Sequence, residues 1–298
     1  VVNCPCDLFR IPMKKRLTAT VLLALALCWA VPIPAAMIQF KFDGWAGPEL
    51  RVFVSRSPGL AADRPVVFVM HGMRRNADDY RDQWHELALE HDFLLVVPEF
   101  SDEDFPGSDG YALGKRFDSK GKERPPSQWS YAAIEPLFDD IRKRFSMETD
   151  RYAIYGHSAG AQFVHRFLFY VPAARVSRAV AANAGWYMMP DFAVDYPYGL
   201  RHSGVGRDSV VRVMAMPLTV LLGESDTDTQ DSGLRRAPEA MLQGEHRFAR
   251  GQAWFEASRS WSEREGVVFG WRLETVPGVG HSNTLMAPSA ARVLLNKP

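Results

Sequence analysis

The sequence predicts a doubly wound α/β fold with a mostly parallel sheet, and two patterns predict it. Runs that are apolar throughout are typical of strands buried on both faces of a parallel sheet, and they occur at residues 65–70 and 93–98. Runs that are mainly apolar, at residues 151–155, 177–182 and 217–222, predict further buried strands. Stretches of helical period alternate with these runs, as a wound sheet requires. Residues 37–42 and 50–54 alternate apolar and polar with period two, which predicts antiparallel strands at the start.

The remaining segments complete one domain over residues 37–298. Amphipathic periodicity predicts helices at residues 77–91, 131–145, 159–170, 238–266 and 288–296, and a last strand at residues 267–275. Residues 99–129 are rich in Gly, Pro, Asp and Ser, which predicts a long loop. Residues 186–212 form an irregular, aromatic-rich insert. No repeat period and no linker divides the domain.

The composition excludes several classes of protein. The chain has 298 residues, of which 47% are hydrophobic and 23% charged, as in globular proteins rather than disordered or coiled-coil ones. Its 35 basic residues balance 35 acidic ones, so no charge excess indicates a nucleic acid or an anionic membrane as partner. The sequence leaves the oligomeric state open.

Residues 1–36 have the pattern of a secretory signal peptide. A basic cluster at residues 14–16 precedes an apolar run at residues 17–31, and small residues follow at 35–36. The run is shorter than the ~20 residues that a transmembrane helix needs. Residues 1–12 add nothing to such a signal, so Met13 is an alternative start. We therefore expect an exported protein, periplasmic or extracellular, that does not remain at the membrane.

The cysteines agree with export. Cys4, Cys6 and Cys28 are the only three, and all precede the expected cleavage point. The exported chain then has neither a disulfide nor a free thiol. A lipoprotein site at Cys28 is the alternative, although its neighbours Leu27 and Trp29 suit it poorly.

A candidate nucleophile follows the third of the buried runs. Residues 156–160 read Gly-His-Ser-Ala-Gly and fit the pattern G-x-S-x-G between a strand and a helix. In this setting Ser158 occupies a sharp, strained turn that exposes its hydroxyl above the carboxyl edge of the sheet. The following helix directs its N-terminus at the place where negative charge develops during acyl transfer. A plain turn of small residues is the alternative interpretation.

A serine nucleophile needs a base, and the sequence favours His281 among eight histidines. His281 lies in a glycine-rich loop, residues 277–282, directly after the last predicted strand. The other histidines have structural explanations or no assigned role. His157 should point into the fold, His202 could contact substrate from the insert, and the rest lie in a turn, on a helix or at a helix end: His71, His85, His91, His165 and His246.

The base needs a carboxylate to orient it. Asp226 follows the strand-ending Gly223 by three residues and is our choice, with Asp228 as the runner-up. A calcium loop formed by Asp226, Asp228 and Asp231 is the rival interpretation, but the full motif is missing. We expect no metal and no cofactor.

The developing oxyanion needs two backbone N–H donors. One should be the amide of Ala159, directly after the nucleophile, and the other the amide of Met73, in the loop after the strand at residues 65–70. His71 and Gly72 would shape that loop. A metal-ligand role for His71 is the rival reading, which no neighbouring His or Cys supports.

The order Ser158, Asp226, His281, with His71 and Gly72 upstream, resembles the α/β-hydrolase superfamily over residues 45–298. Residues 71–80 and 156–163 are similar to the exported polyhydroxyalkanoate-depolymerase and feruloyl-esterase-like branch. The resemblance implies the α/β-hydrolase fold and ester hydrolysis through an acyl-enzyme. The paired cysteines common in secreted members are absent from residues 37–298, and no separate polymer-binding segment is visible there. A soluble ester is therefore favoured over an insoluble polyester.

Aromatic residues suggest a substrate cleft. Trp129, Trp186 and Tyr187 lie in connections expected above the sheet edge, where they would bind an acyl or aryl group. The alternative is that half of the aromatic residues in these connections pack under the insert as its own small core. Arg74 and Arg75 could bind an acidic substrate or be solvated. The leading hypothesis is a secreted carboxylic ester hydrolase acting on a small or oligomeric ester; a serine peptidase and a non-catalytic binding protein on the same scaffold are the alternatives.

Overall fold

An eight-stranded sheet forms the centre of residues 36–296, which together with residue 1 are the part of the chain that the computed structural model describes. The signal peptide expected at residues 1–36 lies almost wholly outside these residues. In chain order the strands are β1 Ala36–Phe42, β2 Leu50–Arg56, β3 Val66–Met70, β4 Leu94–Glu99, β5 Tyr152–His157, β6 Val176–Ala182, β7 Leu218–Gly223 and β8 Arg272–Val276.

The spatial order of the strands is β1-β2-β4-β3-β5-β6-β7-β8. β1 pairs with β2 and β2 pairs with β4 in antiparallel fashion, and every later pairing is parallel. The predicted fold class, a mostly parallel sheet with an antiparallel start, is therefore confirmed. Because carboxyl ends of parallel strands meet at one edge, the loops after β3, β5, β7 and β8 share that edge.

Helices cover both faces of this sheet. They are α1 Ala77–His91, α2 Gly107–Gly110, α3 Ile134–Phe145, α4 Ala159–Tyr170, α5 Arg207–Met214, α6 Pro238–Met241, α7 Arg247–Glu265 and α8 Asn283–Leu294, with 3-10 turns at Pro126–Gln128 and Ser130–Ala133. In the described part of the chain, none of them combines the length and apolar character that crossing a membrane requires.

The alternation of side chains along each strand produces two cores. On β3, Val67 and Val69 pack with residues of α1 and α8, whereas Val66, Phe68 and Met70 pack with residues of α3, α4, α5 and α7. All five β3 residues are buried, as a run that is apolar throughout requires.

The structure differs from the sequence prediction at several boundaries. The stretch predicted as one helix over residues 238–266 is two helices, since His246 accepts a hydrogen bond from the Ala249 amide and starts α7 anew. The last strand begins only at Arg272. The last helix begins at Asn283 because the Ser282 side chain accepts from the Leu285 amide, and Pro288 lies inside it. Of the two segments predicted to be irregular, residues 99–129 contain α2, and α5 begins at Arg207 inside the second and extends beyond its end.

Candidate active site

Ser158 occupies the turn between β5 and α4. Its backbone has φ 58° and ψ −117°, a strained conformation for a residue with a side chain. Two glycines make the turn possible. A Cβ on Gly156 would lie 2.1 Å from the Gly160 carbonyl oxygen, and a Cβ on Gly160 would lie 2.0 Å from the Met70 carbonyl oxygen. The turn therefore packs against its own helix and against β3 more closely than any other residue type allows.

The structure brings Ser158, His281 and Asp226 together at the carboxyl edge of the sheet. His281 Nε2 lies 3.0 Å from Ser158 Oγ, and His281 Nδ1 lies 2.7 Å from Asp226 Oδ2. Since a carboxylate only accepts, Nδ1 donates to Asp226 and leaves Nε2 free to accept from the hydroxyl. The Asp226 side chain is 2% exposed, whereas that of His281 is 24% exposed.

Backbone contacts fasten the loop of Asp226 to the loop of His281. The Glu224 amide donates to the Val276 carbonyl, and the Ser225 amide donates to the Val279 carbonyl at 2.9 Å. A Cβ on Gly223 would lie 2.4 Å from the same Val279 oxygen, so only glycine permits this approach. These contacts hold the two loops against each other.

Side-chain contacts fix the His281 loop to the rest of the sheet. The buried Tyr155 hydroxyl of β5 donates to Asn283 Oδ1 at 2.9 Å, and Asn283 Nδ2 donates to Gln83 Oε1 of α1 at 2.5 Å. Asn283 follows His281 by two residues. The strand that leads into Ser158 thus also anchors the segment that contains the histidine.

Asp228, the runner-up for the acid, is exposed, and its Oδ1 accepts from the Gln230 amide. The structure brings Asp226 to His281 instead, because the chain turns back at the Asp226 amide, which donates to the Gly223 carbonyl.

Arg247 is a residue of the site that sequence reasoning missed. It is the first residue of α7 and is 3% exposed, with Nη1 3.4 Å from Asp226 Oδ1 and Nη2 2.8 Å from Asp231 Oδ1. The hydrogen bond from Arg247 holds the pKa of Asp231 below its ordinary value. No spacing in the sequence signals this contact, since it depends on how α7 packs beside the loop after β7.

Two further histidines near the site are buried: His157, directly before Ser158, and His71, directly after β3. His157 lies with its ring centroid 4.6 Å from that of His281 and its Nδ1 3.2 Å from the Tyr80 hydroxyl. Burial, and then the nearby charges of His281 and Arg247, keep the pKa of His157 well below its usual range, so this ring is neutral.

His71 contacts backbone through both ring nitrogens. Its Nδ1 lies 3.0 Å from the Gly72 carbonyl, its Nε2 accepts from the Phe100 amide at 3.0 Å, and burial lowers its pKa to about 3. It shapes the loop after β3. Within residues 36–296, no group of three or more His, Cys, Asp or Glu side chains is arranged to hold a metal ion.

The two residues predicted to donate to the oxyanion, Ala159 and Met73, both lie close to Ser158 in the structure. Ala159 is the first residue of α4, so its amide has no acceptor one turn earlier in that helix. Gly72 packs against Ser158, since a Cβ on Gly72 would lie 3.8 Å from Ser158 Cβ. Met73, the next residue, lines the same cavity as the hydroxyl.

That cavity has a volume of about 590 Å³, and polar side chains form most of its wall. Besides Ser158 and His281, its lining includes Arg74, Asn76, Gln83, Asp231, Arg247, Asn283 and Thr284. Such a wall suits a substrate that carries hydrogen-bonding groups near the scissile bond.

The structure does not bring the three predicted substrate aromatics to this cavity. Tyr187 is fully buried and stacks on Trp254 at 4.6 Å, and Trp186 is 3% exposed and packs on Tyr198. Trp129 lines a separate depression beside Arg116 and Tyr170. The alternative interpretation, a small core of the insert, describes the position of Trp186, which clusters with Leu113, Tyr198 and Ala240. Tyr187 instead belongs to the main core of the domain.

The two arginines after Met73 have different environments. Arg75 is buried and donates to the carbonyls of Phe105 and Gly107 at 3.0 and 2.7 Å, so neither expectation for it, binding an acidic substrate or being solvated, is right. Buried carbonyls need donors, and Arg75 supplies them. Arg74 is exposed on the wall of the cavity.

Solved structures of hydrolases match this chain closely. A poly(aspartic acid) hydrolase-1 from Sphingomonas sp. KT-1 is 45% identical, with a TM-score of 0.85 over 87% of this chain and 98% of the other. A poly(3-hydroxybutyrate) depolymerase from Bordetella parapertussis is 37% identical, with a TM-score of 0.82 over 87% and 89%. A ferulic acid esterase, 14% identical with a TM-score of 0.51 over 88% and 97%, shares the fold alone. No protein-family model and no curated protein matches the chain.

Proposed function

The chain is a hydrolase of the α/β-hydrolase superfamily, in its depolymerase- and esterase-like branch, and on this premise we propose that it cleaves a carboxylic ester through an acyl-enzyme on Ser158. The observation that carries the proposal is the pair of contacts made by His281, 3.0 Å to Ser158 Oγ and 2.7 Å to Asp226 Oδ2. Nucleophile, base and acid in this order of contact are what acyl transfer by a serine requires.

Acylation would use each of these groups once. As Ser158 Oγ attacks the ester carbonyl carbon, His281 Nε2 takes the hydroxyl proton, and Asp226 stabilises the resulting imidazolium. The carbonyl oxygen becomes an oxyanion that accepts hydrogen bonds from the amides of Met73 and Ala159. When the tetrahedral intermediate collapses, His281 gives its proton to the departing alcohol oxygen.

Deacylation would repeat these steps with water. His281 removes a proton from a water molecule as that oxygen attacks the acyl carbon, and the same proton then returns to Ser158 Oγ when the acid product leaves. The buried carboxylate of Asp226 keeps the imidazole oriented throughout.

A second candidate function is hydrolysis of an amide bond, because the 45% identical relative is described as a poly(aspartic acid) hydrolase. The polar cavity wall and the exposed Arg74 also favour a substrate with carboxylate groups over an apolar one. This candidate keeps the same residues and requires His281 to protonate an amine instead of an alcohol.

Active-serine labelling combined with a substrate panel tests the proposal. We expect a fluorophosphonate probe to label wild-type protein at Ser158, and Ser158→Ala to fold normally but to lose labelling and about 10⁴-fold or more of the activity on short p-nitrophenyl esters. An alanine variant with wild-type turnover would contradict the nucleophile assignment. Unlabelled wild-type protein would favour a binding protein on this scaffold, and faster turnover of oligo-aspartate than of esters would favour the amide hydrolase.

We also propose that the protein is exported to the periplasm or beyond. The pattern of residues 14–36 supports this, with a basic cluster, an apolar run and small residues in succession. Sequencing the N-terminus of protein recovered outside the inner membrane should find a start near residue 37. Recovery of only the uncleaved chain, in the cytoplasm, would contradict export.

A further inference from the structure

A buried arginine joins two carboxylates beside the candidate triad. The side chain of Arg247 is 4% exposed and that of Asp226 2%, so both charges are almost completely removed from water. A buried carboxylate or guanidinium is costly unless an opposite charge or hydrogen bonds compensate it. Arg247 Nη1 donates to Asp226 Oδ1, and Arg247 Nη2 donates to Asp231 Oδ1.

The two carboxylate oxygens of Asp226 have different partners. Its Oδ2 faces His281 at 2.7 Å, and its Oδ1 faces Arg247 at 3.4 Å. The carboxylate is therefore shared between an imidazole, which gains a proton during catalysis, and a guanidinium, which is always charged. The positive charge of Arg247 opposes proton uptake by the Asp226–His281 pair, whichever of the two groups holds the proton.

Asp231 acts in the opposite sense. It pairs with the far arm of Arg247 at 2.8 Å, its side chain is 33% exposed, and it lines the cavity with Ser158 and His281. Its negative charge offsets part of the field of Arg247. The charge of His281 also contributes to lowering the pKa of Asp231.

We propose that Arg247 and Asp231 are positioning residues that together set the pH at which His281 accepts a proton, acting through Asp226. This inference rests on the proposed function of the Ser158 site. Other charged or titratable groups also face this site. They are His157 of β5 on the His281 ring, Tyr80 of α1 behind it, Arg74 on the cavity wall, Tyr187 near Asp226, Arg250 near Arg247, and Arg236, which donates to the Asp231 carbonyl. None of these groups is changed in the variants below, so their charges affect every variant alike.

The test is an NMR titration of the His281 ring, assigned with His281→Asn, together with the pH profile of kcat/KM on a p-nitrophenyl ester. Arg247→Gln removes the cation, so we expect the midpoint of the His281 titration and of the acidic limb to rise by about one pH unit. Asp231→Asn removes the anion and should lower both midpoints by about half a unit, less because Asp231 is partly solvated. Arg247→Lys should stay nearer to the wild type than Arg247→Gln.

Asp228→Asn is the matched control, because it removes the same charge from the same loop at an exposed position. Opposite shifts in Arg247→Gln and Asp231→Asn, each larger than in the control, support the proposal; shifts of equal sign, or no larger than the control, overturn it. If Arg247→Gln fails to fold, the sign of the Asp231→Asn shift decides alone. The titration needs no turnover, so a wild-type protein that hydrolyses nothing would contradict the proposed function without deciding this one.

Discussion

The loops around Ser158 and the aromatic segment of residues 186–198 are held in place by different forces. Around Ser158, main-chain hydrogen bonds and glycine contacts fix the loops, as between Ser225 and Val279 or at Gly223. In the aromatic segment, Tyr187 stacks on Trp254, and Gln243 bonds both the amide and the carbonyl of Tyr187 at 2.8 Å. The first region presents polar groups to a cavity, whereas the second buries its rings.

This difference teaches that aromatic composition predicts burial more directly than ligand contact. A large aromatic ring contributes most to stability when it is completely removed from water. The ring of Tyr187 is fully buried. Polar groups of the cavity wall, such as Asn283 and Gln83, remain at the surface of the site and bond one another. We therefore expect changes in the first region to affect turnover and changes in the second to affect stability.

The largest expected effect separates two carboxylates within the first region. Asp226→Asn should lower kcat/KM by about 10⁴-fold, because an amide can neither stabilise the imidazolium nor select the correct tautomer. Asp228→Asn should change kcat/KM by less than about threefold, since its carboxylate faces solvent. Steady-state kinetics on a short p-nitrophenyl ester measure both. A larger loss of activity in Asp228→Asn than in Asp226→Asn would assign the role of the acid to Asp228.

Tyr187→Ala should separate stability from turnover in the second region. Removing a fully buried ring that stacks on Trp254 should lower the free energy of unfolding by about 3–5 kcal/mol. At a temperature where the variant is folded, we expect kcat/KM within about threefold of wild type. Denaturant unfolding and kinetics measure the two quantities. A large rise in KM with unchanged stability would instead indicate that Tyr187 binds substrate.

Gly223→Ala should show that the main-chain contacts of the first region serve catalysis. The new Cβ would lie 2.4 Å from the Val279 carbonyl oxygen and push the His281 loop away from Asp226. We expect kcat/KM to fall about 10- to 100-fold, as a displacement of this kind costs productive geometry. Gly206→Ala is the control, because a Cβ there meets no atom within 4 Å. Equal kinetics in the two variants would contradict the argument.

Acid should destabilise both regions by smaller amounts, since a buried neutral histidine lies in or against each. His71 follows β3 in the first region, and His165 of α4 accepts a hydrogen bond from the Met188 amide of the second. Burial lowers the pKa of His71 to about 3 and that of His165 well below its ordinary value. Unfolding exposes these rings, so below pH ~6.5 the unfolded chain binds protons that the folded chain does not. Stability is thus complete above that pH and falls below it, by about 2 kcal/mol for His71 at pH 5.

Urea unfolding of His71→Asn between pH 7 and pH 5 measures this contribution. The variant, whose side chain does not titrate, should lose less stability over this interval than the wild type does. Equal pH dependence in the two proteins would show that His71 does not contribute.

Local pattern predicted the strands well, because burial on both faces requires a run such as residues 66–70 to be apolar throughout. Pattern also selected Ser158, Asp226 and His281, since each follows a strand whose carboxyl end meets the same edge. It erred where a single capping interaction sets a boundary, as at Ser282 and His246. Capping depends on one side-chain rotamer, which periodicity does not register.

The sequence by itself determined the fold class, the order of the strands along the chain and the three side chains expected at one edge, because these follow from periodicity and from residues next to strand ends. Only the tertiary structure decided that Arg247 lies on Asp226, that Arg75 bonds buried carbonyls and that Trp186 and Tyr187 face inward. These contacts join residues distant in the chain. Their partners are chosen by how helices and loops pack, and no local spacing records that choice.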